Sequence, residues 1–306
     1  MFRELRRRLG LHPRAWLHSA LTYSRFIGRI KPDLLSGTEA EIVARLAASM
    51  RAWEPAQLIA PVGQRIVVIA PHPDDESIGA GGILLAHRGK ASVSIVTVFN
   101  GEGGGQLGAE PWSDGASYKS RLVQTRKSEL AEVAKRLEAR SVHAIDLPDG
   151  YSNPSRQDAR KIRAIVEALR PDVVMIPWFL DGLPDHQMVN LLYASGCGDL
   201  DCMVLGFEVW TLCSPNAFFD TTNWQQEKTE LIHHYKSQLA TMDYERFATG
   251  LGFVRGFQLG AAARRNSTAE AFLALPNRDY CDIVRAYLGE PGSLTDAGIK
   301  AFQQER

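Results

Sequence analysis

The sequence predicts a doubly wound α/β domain, in which a mostly parallel sheet is covered by helices on both faces. Short apolar runs rich in β-branched residues recur without polar alternation, as is typical of parallel strands that are buried on both sides. Helical patterns separate these runs, which implies right-handed crossover connections. With 306 residues, of which 45% are hydrophobic and 23% charged, the chain can build a large core.

The predicted elements alternate along the chain. An amphipathic helix over 39–53 begins at a capping box, in which Thr38 and Glu41 satisfy free backbone amides. The predicted strands cover 66–70, 92–99, 142–147 and 173–178, and the later helices cover 120–137, 159–169 and 223–239. This order is that of a Rossmann-like fold, whose active site lies beyond the carboxyl ends of the strands, where the strand order reverses.

Charge divides the chain into two parts. Residues 1–31 hold eight basic residues and one acidic residue, whereas the remaining 275 residues hold 27 basic and 34 acidic ones. We therefore expect a basic N-terminal arm and amphipathic helix over 1–60, a single α/β domain over 61–290 and a C-terminal tail over 291–306. The arm could lie on anionic lipid as a peripheral membrane contact, or pack on the acidic body or on another subunit.

Composition limits the cellular compartment and the binding partners that we expect for this protein. A net charge of zero argues against a chain that coats nucleic acid. No run approaches the ~18 apolar residues of a membrane span, and no secretory signal pattern is present at the N-terminus, so we expect a cytoplasmic protein with surface contact to a membrane at most. The four cysteines lack CxxC spacing and are expected to be buried reduced thiols.

The first strand is followed directly by a cluster of ionisable residues. His72, Asp74, Asp75 and Glu76 stand within five positions, and like charges so close together must be solvated or paired. The cluster could be a solvated acidic turn that favours the N-terminus of the next helix. It could equally surround a cation.

A second polar group follows the strand over 173–178 and favours the cation. The chain there reads Asp181-Gly-Leu-Pro-Asp185-His186, and the carboxyl ends of two strands in one sheet can converge. Together the two groups offer two imidazoles and several carboxylates. Two histidines and one carboxylate, with a position open for water, form a common catalytic zinc site, which is machinery for hydrolysis.

The glycine-dense stretch over 100–105 follows the second predicted strand. It lacks the Gly-x-Gly-x-x-Gly spacing of a dinucleotide site, which disfavours a nucleotide-binding oxidoreductase on the same fold. We expect a mobile loop at the rim of a site instead.

Taken in order, these motifs resemble those of the PIG-L/LmbE-like family of zinc-dependent N-deacetylases. Pro-His-Pro-Asp-Asp-Glu over 71–76 is similar to the signature of that family, and Pro184-Asp185-His186 is similar to the end of its His-Pro-Asp-His motif. Shorter similarities run along the chain, at Arg126 with Glu129, at Glu208, over 235–238 and over 269–272.

The resemblance implies a role for each matching residue. His72, Asp75 and His186 would be the ligands of one Zn²⁺ per chain, or of another divalent metal in its place. Asp74 would be the general base, and an extended backbone would point it away from Asp75. Arg126 and Asp185 would contact the substrate. For Arg126, an ordinary surface salt bridge to Glu129 is the alternative.

The resemblance also implies a function. The protein would be a metal-dependent amidohydrolase that removes an N-acetyl or related acyl group from an N-acetylglucosamine-type sugar conjugate, such as a glycolipid, a thiol conjugate or a natural product. Leu183 departs from the family pattern, because a histidine that polarises the acetyl carbonyl is expected there. Either another group substitutes for it, or the protein is a catalytically impaired sugar-binding member of the fold. The candidate substitutes are Asp181, His143, Tyr151, His233 and His234.

Overall fold

The computed structural model describes residues 56–150, 154–262 and 265–289. The predicted arm, the helix over 39–53, Tyr151 and the tail over 291–306 lie outside these residues, and the domain boundaries stay predictions. The strands are β1 (Ala56–Gln57), β2 (Arg65–Ala70), β3 (Ser92–Phe99), β4 (Ser141–Leu147), β5 (Val173–Pro177), β6 (Met203–Phe207), β7 (Ala217–Asp220) and β8 (Ala269–Pro276). The helices are α1 (Asp75–His87), α2 (Ala116–Arg136), α3 (Arg156–Leu169), α4 (Pro184–Cys197), α5 (Gln225–His233), α6 (Lys236–Leu239), α7 (Tyr244–Gly256) and α8 (Asn277–Leu288), with a 3-10 helix at Phe257–Ala262.

These strands form one sheet in the order β1-β7-β8-β6-β5-β2-β3-β4. Every pairing is parallel except those of β8, which runs antiparallel to both β6 and β7. Helices α1, α5 and α7 pack against one another, while α4 packs against α3 and α8, and both groups contact the sheet. The predicted α/β architecture with a mostly parallel sheet is confirmed.

The strand order reverses beside β2. The chain runs outward from β2 to β3 and β4, and then returns to place β5 on the other side of β2. The loops after β2 and β5 therefore leave the sheet in opposite directions and enclose a crevice between them. Both clusters singled out in the sequence follow these two strands.

Burial explains which strands the sequence predicts well. The apolar residues of β2, β3 and β5 are almost fully buried, because these strands lie in the interior of the sheet. The interpretation of 142–147 as a strand buried on both faces is wrong, because β4 is an edge strand whose residues are mostly half-exposed or exposed. The helix predicted over 223–239 is interrupted between α5 and α6. Cys197, Cys213 and Cys281 are buried free thiols, as expected, and Cys202 is partly exposed.

A close approach fixes one glycine of α1. A Cβ atom added at Gly79 would lie 2.2 Å from the ring of Phe207 and 2.6 Å from the carbonyl oxygen of Glu208. Helix α1 can therefore sit against the end of β6 only where it has no side chain. At Gly250, in the middle of α7, nothing lies within 4 Å of the same added atom.

This contrast gives a matched pair of substitutions. Gly79→Ala should lower the free energy of unfolding by about 1–3 kcal/mol, because the methyl group overpacks a rigid contact. Gly250→Ala should raise the free energy of unfolding by up to about 1 kcal/mol, because alanine loses less backbone entropy in a helix. Urea denaturation of both variants measures the difference. Equal effects of the two substitutions would contradict the described packing of α1.

Candidate active site

The cluster after β2 is built on an unusual backbone turn. Asp74 is the N-cap of α1 and has a φ of 134°, a value that non-glycine residues rarely adopt. The backbone is therefore not extended here, although the side chains of Asp74 and Asp75 still diverge toward Arg126 and the imidazoles. Glu76 stabilises the turn, since its carboxylate accepts hydrogen bonds from the backbone N–H of Asp74 (3.1 Å) and from the hydroxyls of Ser77 (2.6 Å) and Tyr235.

Asp75 lies between the two imidazoles. Its Oδ2 atom is 3.4 Å from Nδ1 of His72 and 3.4 Å from Nε2 of His186. It also accepts a hydrogen bond of 2.9 Å from the backbone N–H of His72. His186 reaches this point from the first turn of α4, which begins shortly after β5. The convergence expected from the two strand ends is therefore present, with ligand-type atoms of the three residues within 4.8 Å of one another.

A carboxylate also faces the outer nitrogen of each imidazole. Nε2 of His72 lies 3.1 Å from Oδ2 of Asp185, which also accepts a hydrogen bond from the backbone N–H of Gly150. Nδ1 of His186 lies 3.3 Å from Oδ1 of Asp181. Backbone amides of Leu183, Trp210 and Thr211 hold the Asp181 carboxylate in place. Such outer carboxylates orient the histidine ligands of metal sites.

His186 provides the test of whether a cation fits. Both of its ring nitrogens are buried, and within the described structure neither has a hydrogen-bond partner of acceptable geometry. A buried imidazole nitrogen without a partner is costly, and a cation at Nε2 would supply one. Two imidazole nitrogens and one carboxylate oxygen are ligands that Zn²⁺ prefers. His72, Asp75 and His186 therefore fit a divalent cation.

A second set of ligand-type groups, His72, Asp149 and Asp185, shares His72 with the first. Carboxylates of both sets accept backbone hydrogen bonds, Asp149 from Gly101 and Gly103, Asp185 from Gly150, and Asp75 from His72. Burial separates the sets, because Asp149 and Asp185 are less buried than Asp75 and His186. The structure thus favours the first set.

Without a cation, the imidazoles hold protons. Burial lowers the pKa of His72, but its hydrogen bonds to Asp185 and Asp75 outweigh burial and raise the pKa to about 10. Burial likewise opposes protonation of His186, and the charges of Asp75 and Asp181 raise its pKa to about 9. Burial raises the pKa of Asp75, but His186 and His72 outweigh it and hold this pKa well below its ordinary value. A cation would take the place of these protons.

Asp74 faces Arg126 on the other side of the turn. Its Oδ1 atom lies 3.2 Å from Nη2 of the buried Arg126. Burial raises the pKa of Asp74 to about 8, although the Arg126 charge opposes the shift. The surface salt bridge between Arg126 and Glu129 is wrong as an alternative, because α2 turns Arg126 inward. Glu129 instead accepts hydrogen bonds from the backbone N–H and the hydroxyl of Ser237.

Arg126 also holds the glycine-dense loop. Its guanidinium donates hydrogen bonds to the carbonyl oxygens of Pro73 (2.9 Å), Gly101 (3.1 Å) and Gly104 (3.1 Å). Gly101 has a φ of 78°, and a Cβ atom at this position would lie 2.7 Å from Nε of Arg126. The close approach of loop and guanidinium therefore requires glycine at position 101.

These groups open into a cavity of about 470 Å³ at the carboxyl edge of the sheet. The cavity is lined by His72, Asp74, Asp75, Gly103, Gly104, Arg126, Asp149, Gly150, Leu183, Pro184, Asp185, Trp210, Gln238 and Tyr244. Leu183 gives this wall an apolar surface at the position where the sequence comparison led us to expect a histidine.

Comparison with known proteins identifies one segment of the chain. Residues 67–195 match the family model described as PIG-L: GlcNAc-PI de-N-acetylase. The matched segment therefore resembles a PIG-L domain. It contains His72, Asp74, Asp75, Arg126 and His186, whose roles stay predictions.

Two curated proteins are similar to this chain. Diacetylchitobiose deacetylase from Thermococcus kodakarensis is 23% identical over 235 residues, which cover 64% of this chain and 85% of the relative. A probable N-acetyl-alpha-D-glucosaminyl L-malate deacetylase 2 from Bacillus subtilis is 27% identical over 128 residues, which cover 40% and 56% respectively.

Solved structures confirm the fold. N,N'-diacetylchitobiose deacetylase from Pyrococcus horikoshii has a TM-score of 0.60 and 20% identity, covering 81% of this chain and 96% of that one. GalB, a 4-carboxy-2-hydroxymuconate hydratase from Pseudomonas putida, has a TM-score of 0.57 and 20% identity, covering 69% and 96%. Because the second protein is a hydratase, the fold alone does not decide the reaction.

The predicted substitutes for the missing histidine lie elsewhere or have other partners. His143 on β4 contacts the hydroxyl of Ser141, and His233 contacts Glu245 at the surface. His234 follows α5 and is absent from the lining of the cavity. Asp181 carries a carboxylate that already accepts three backbone hydrogen bonds.

Three side chains of the cavity wall, those of Asp149, Trp210 and Tyr244, were not predicted from the sequence. Asp149 follows β4 at the same edge of the sheet, so the strand-end argument could have found it. Trp210 follows β6 and Tyr244 begins α7, and both lie beyond residues 67–195, which match the family model. No sequence signal marks Tyr244. It begins a helix that does not directly follow a strand, so the strand-end argument does not apply to it.

Asp185 allows the outer carboxylates to be tested. Asp185→Asn should weaken Zn²⁺ binding about 10- to 100-fold, because the outer carboxylate raises the basicity of His72 and fixes its ring. Competition with a fluorescent chelator measures this affinity. Asp199→Asn, at an exposed carboxylate that pairs with Arg163 and is absent from the cavity lining, is the matched control. Equal affinities of the two variants would show that Asp185 does not support a ligand.

Proposed function

We propose that the protein is a metal-dependent amidohydrolase that removes an N-acetyl group from an N-acetylglucosamine-type sugar conjugate. The observation that carries this proposal is the convergence of His72, Asp75 and His186 beside a buried carboxylate, Asp74, at the wall of a cavity. Relatives named as deacetylases of amino-sugar compounds support it. Zn²⁺ is the metal that best suits two imidazoles and one carboxylate.

Different residues of the site have different roles in the proposed reaction. His72, Asp75 and His186 would hold the zinc ion, which would supply an electrophile for the amide carbonyl and lower the pKa of water toward ~7. Asp74 accepts a proton from the attacking water and delivers it to the leaving nitrogen, a role that suits a carboxylate at the cavity wall. Arg126 orients Asp74, and Asp185 and Asp181 orient the two histidines. Arg126 and Asp185 also line the cavity. Their contacts with the substrate stay predictions.

Tyr244 is the donor that we assign to the carbonyl oxygen of the substrate. Among the cavity-lining side chains that the structure describes, Tyr244 Oη, Trp210 Nε1 and Arg126 Nε have no hydrogen-bond partner, and Nε of Arg126 is covered by the loop at Gly101. Burial and the nearby charges of Asp74 and Asp75 raise the pKa of Tyr244, so the phenol keeps its proton. With this donor present, the site does not require a histidine at position 183, and the relatives favour a working hydrolase over an impaired binding protein.

Asp74→Asn tests the proposed reaction. Release of acetate from N-acetylglucosamine and N,N'-diacetylchitobiose should fall about 100- to 10,000-fold in kcat, because the amide cannot accept the proton. The zinc content of the variant, measured by atomic emission, should equal that of the wild type. Asp146→Asn, at an exposed carboxylate paired with Lys127, is the control. A metal-free protein in which Asp74→Asn keeps full activity would overturn the assignment.

Tyr244→Phe tests the donor. The kcat of this variant should fall about 100-fold, as is typical when one donor to an oxyanion is lost. Leu183→His should restore part of the activity in the Tyr244→Phe background, because it places an imidazole at the same wall. Tyr287→Phe, at a half-exposed tyrosine on α8, is the control. If Tyr244→Phe hydrolyses the substrates at the wild-type rate, the carbonyl oxygen has another donor.

A further inference from the structure

Helix α7 presents apolar side chains to solvent. Phe247, Phe253 and Val254 have 39%, 42% and 54% of their surfaces exposed, and Phe257, which begins the following 3-10 helix, has 83% exposed. Positions 247, 254 and 257 follow one helical stripe, and 253 lies beside it. The opposite side of α7 is buried and packs against β8. Large exposed apolar faces of this kind mark interaction sites.

The charged residues of α7 leave this face nearly uncharged. Helix α7 has three charged residues, and two of them pair with residues away from the apolar face. Arg255 is buried against Glu208, and Glu245 pairs with His233. Arg246 is exposed and is the one charged residue on the apolar side of the helix Tyr244–Gly256. The face therefore combines aromatic side chains with a single cation.

The apolar face continues to the mouth of the cavity. Tyr244, at the start of α7, lines the cavity, and its ring lies 5.8 Å from that of Trp210. The Trp210 ring lies in turn 6.3 Å from that of Phe247. Trp210 and Leu212 are 37% and 56% exposed. One apolar surface thus joins the exposed side of α7 to the wall of the proposed active site.

We propose that this surface, formed by Trp210, Leu212, Phe247, Phe253, Val254 and Phe257, docks on an anionic lipid surface and receives an amide substrate held there. We call it the α7 face. Only the identity of the substrate rests on the proposed function; the docking itself does not.

Charge and composition favour lipid as the occupant. Residues 1–31 carry a net charge of +7, which complements anionic headgroups, and Arg246 adds a cation on the α7 face itself. Stable attachment to a bilayer commonly combines a basic segment with an apolar insertion. Tryptophan and phenylalanine are typical of such insertions, because amphipathic or aromatic rings suit the boundary between headgroups and acyl chains. A lipid layer on the α7 face would also bring a membrane-held substrate directly to the mouth of the cavity.

Vesicle flotation of the full-length protein tests the proposal. The wild type should float with vesicles of 7:3 phosphatidylcholine and phosphatidylglycerol. The double variant Phe253→Ser/Phe257→Ser should bind these vesicles at least tenfold more weakly. The matched control is Val142→Ser/Tyr287→Ser, which removes two exposed apolar side chains from β4 and α8 and should bind like the wild type. Both double variants should hydrolyse a soluble N-acetyl sugar at the wild-type rate, because none of the four residues lines the cavity.

Three outcomes would overturn the proposal. The first is a wild type that does not float, and the second is a Phe253→Ser/Phe257→Ser variant that floats as well as the wild type. In the third, sedimentation velocity finds a dimer that this variant converts to a monomer, and the occupant is a second copy of the chain. Failure of the proposed function looks different: the protein would bind vesicles through the α7 face but release acetate from no N-acetyl sugar.

Discussion

The site depends on the burial of three consecutive carboxylates at the end of β2. Asp74, Asp75 and Glu76 all lose water, and each charge would be costly without its own partner. Asp74 faces Arg126 from α2, Asp75 faces the imidazoles of His72 and His186, and Glu76 accepts hydrogen bonds that include one from Tyr235. These partners come from distant parts of the chain, so burial of the cluster ties α2, α4 and the connection between α5 and α6 to one strand end.

Two further buried carboxylates, Glu208 and Glu270, stabilise the elements around this site. Glu270 on β8 accepts hydrogen bonds from the backbone N–H groups of Gly82 (2.7 Å) and Ile83 (2.9 Å) in α1, and from Lys228 (2.7 Å). Glu208 binds Arg255 and the backbone N–H of Cys213 (2.6 Å), which fixes the loop that carries Trp210. Both glutamates were noticed in the sequence as short motifs. Their contacts show that they hold the scaffold of the site in place.

The sequence predicted the central strands of the sheet but not the strands that follow β5 along the chain. Strands β2, β3 and β5 were recognisable because burial on both faces leaves an unbroken apolar run. His72 and His186 could be grouped with several carboxylates because carboxyl ends of parallel strands share an edge, and the family resemblance selected Asp75 among those carboxylates. The antiparallel β8 and the wall residue Tyr244 could not be predicted, since their positions depend on tertiary packing rather than on local pattern. The alternative of a surface salt bridge between Arg126 and Glu129 was wrong, because helical periodicity does not reveal that a glycine loop will cover Arg126.

The central claim is that His72, Asp75 and His186 hold one divalent cation. A crystal structure of the zinc-loaded protein, with anomalous data collected at the zinc edge, tests this claim most directly. The account predicts one anomalous peak per chain, with Nδ1 of His72, Nε2 of His186 and a carboxylate oxygen of Asp75 at about 2.0–2.2 Å. An empty site, or a peak bound by Asp149 and Asp185 without His186, would contradict it.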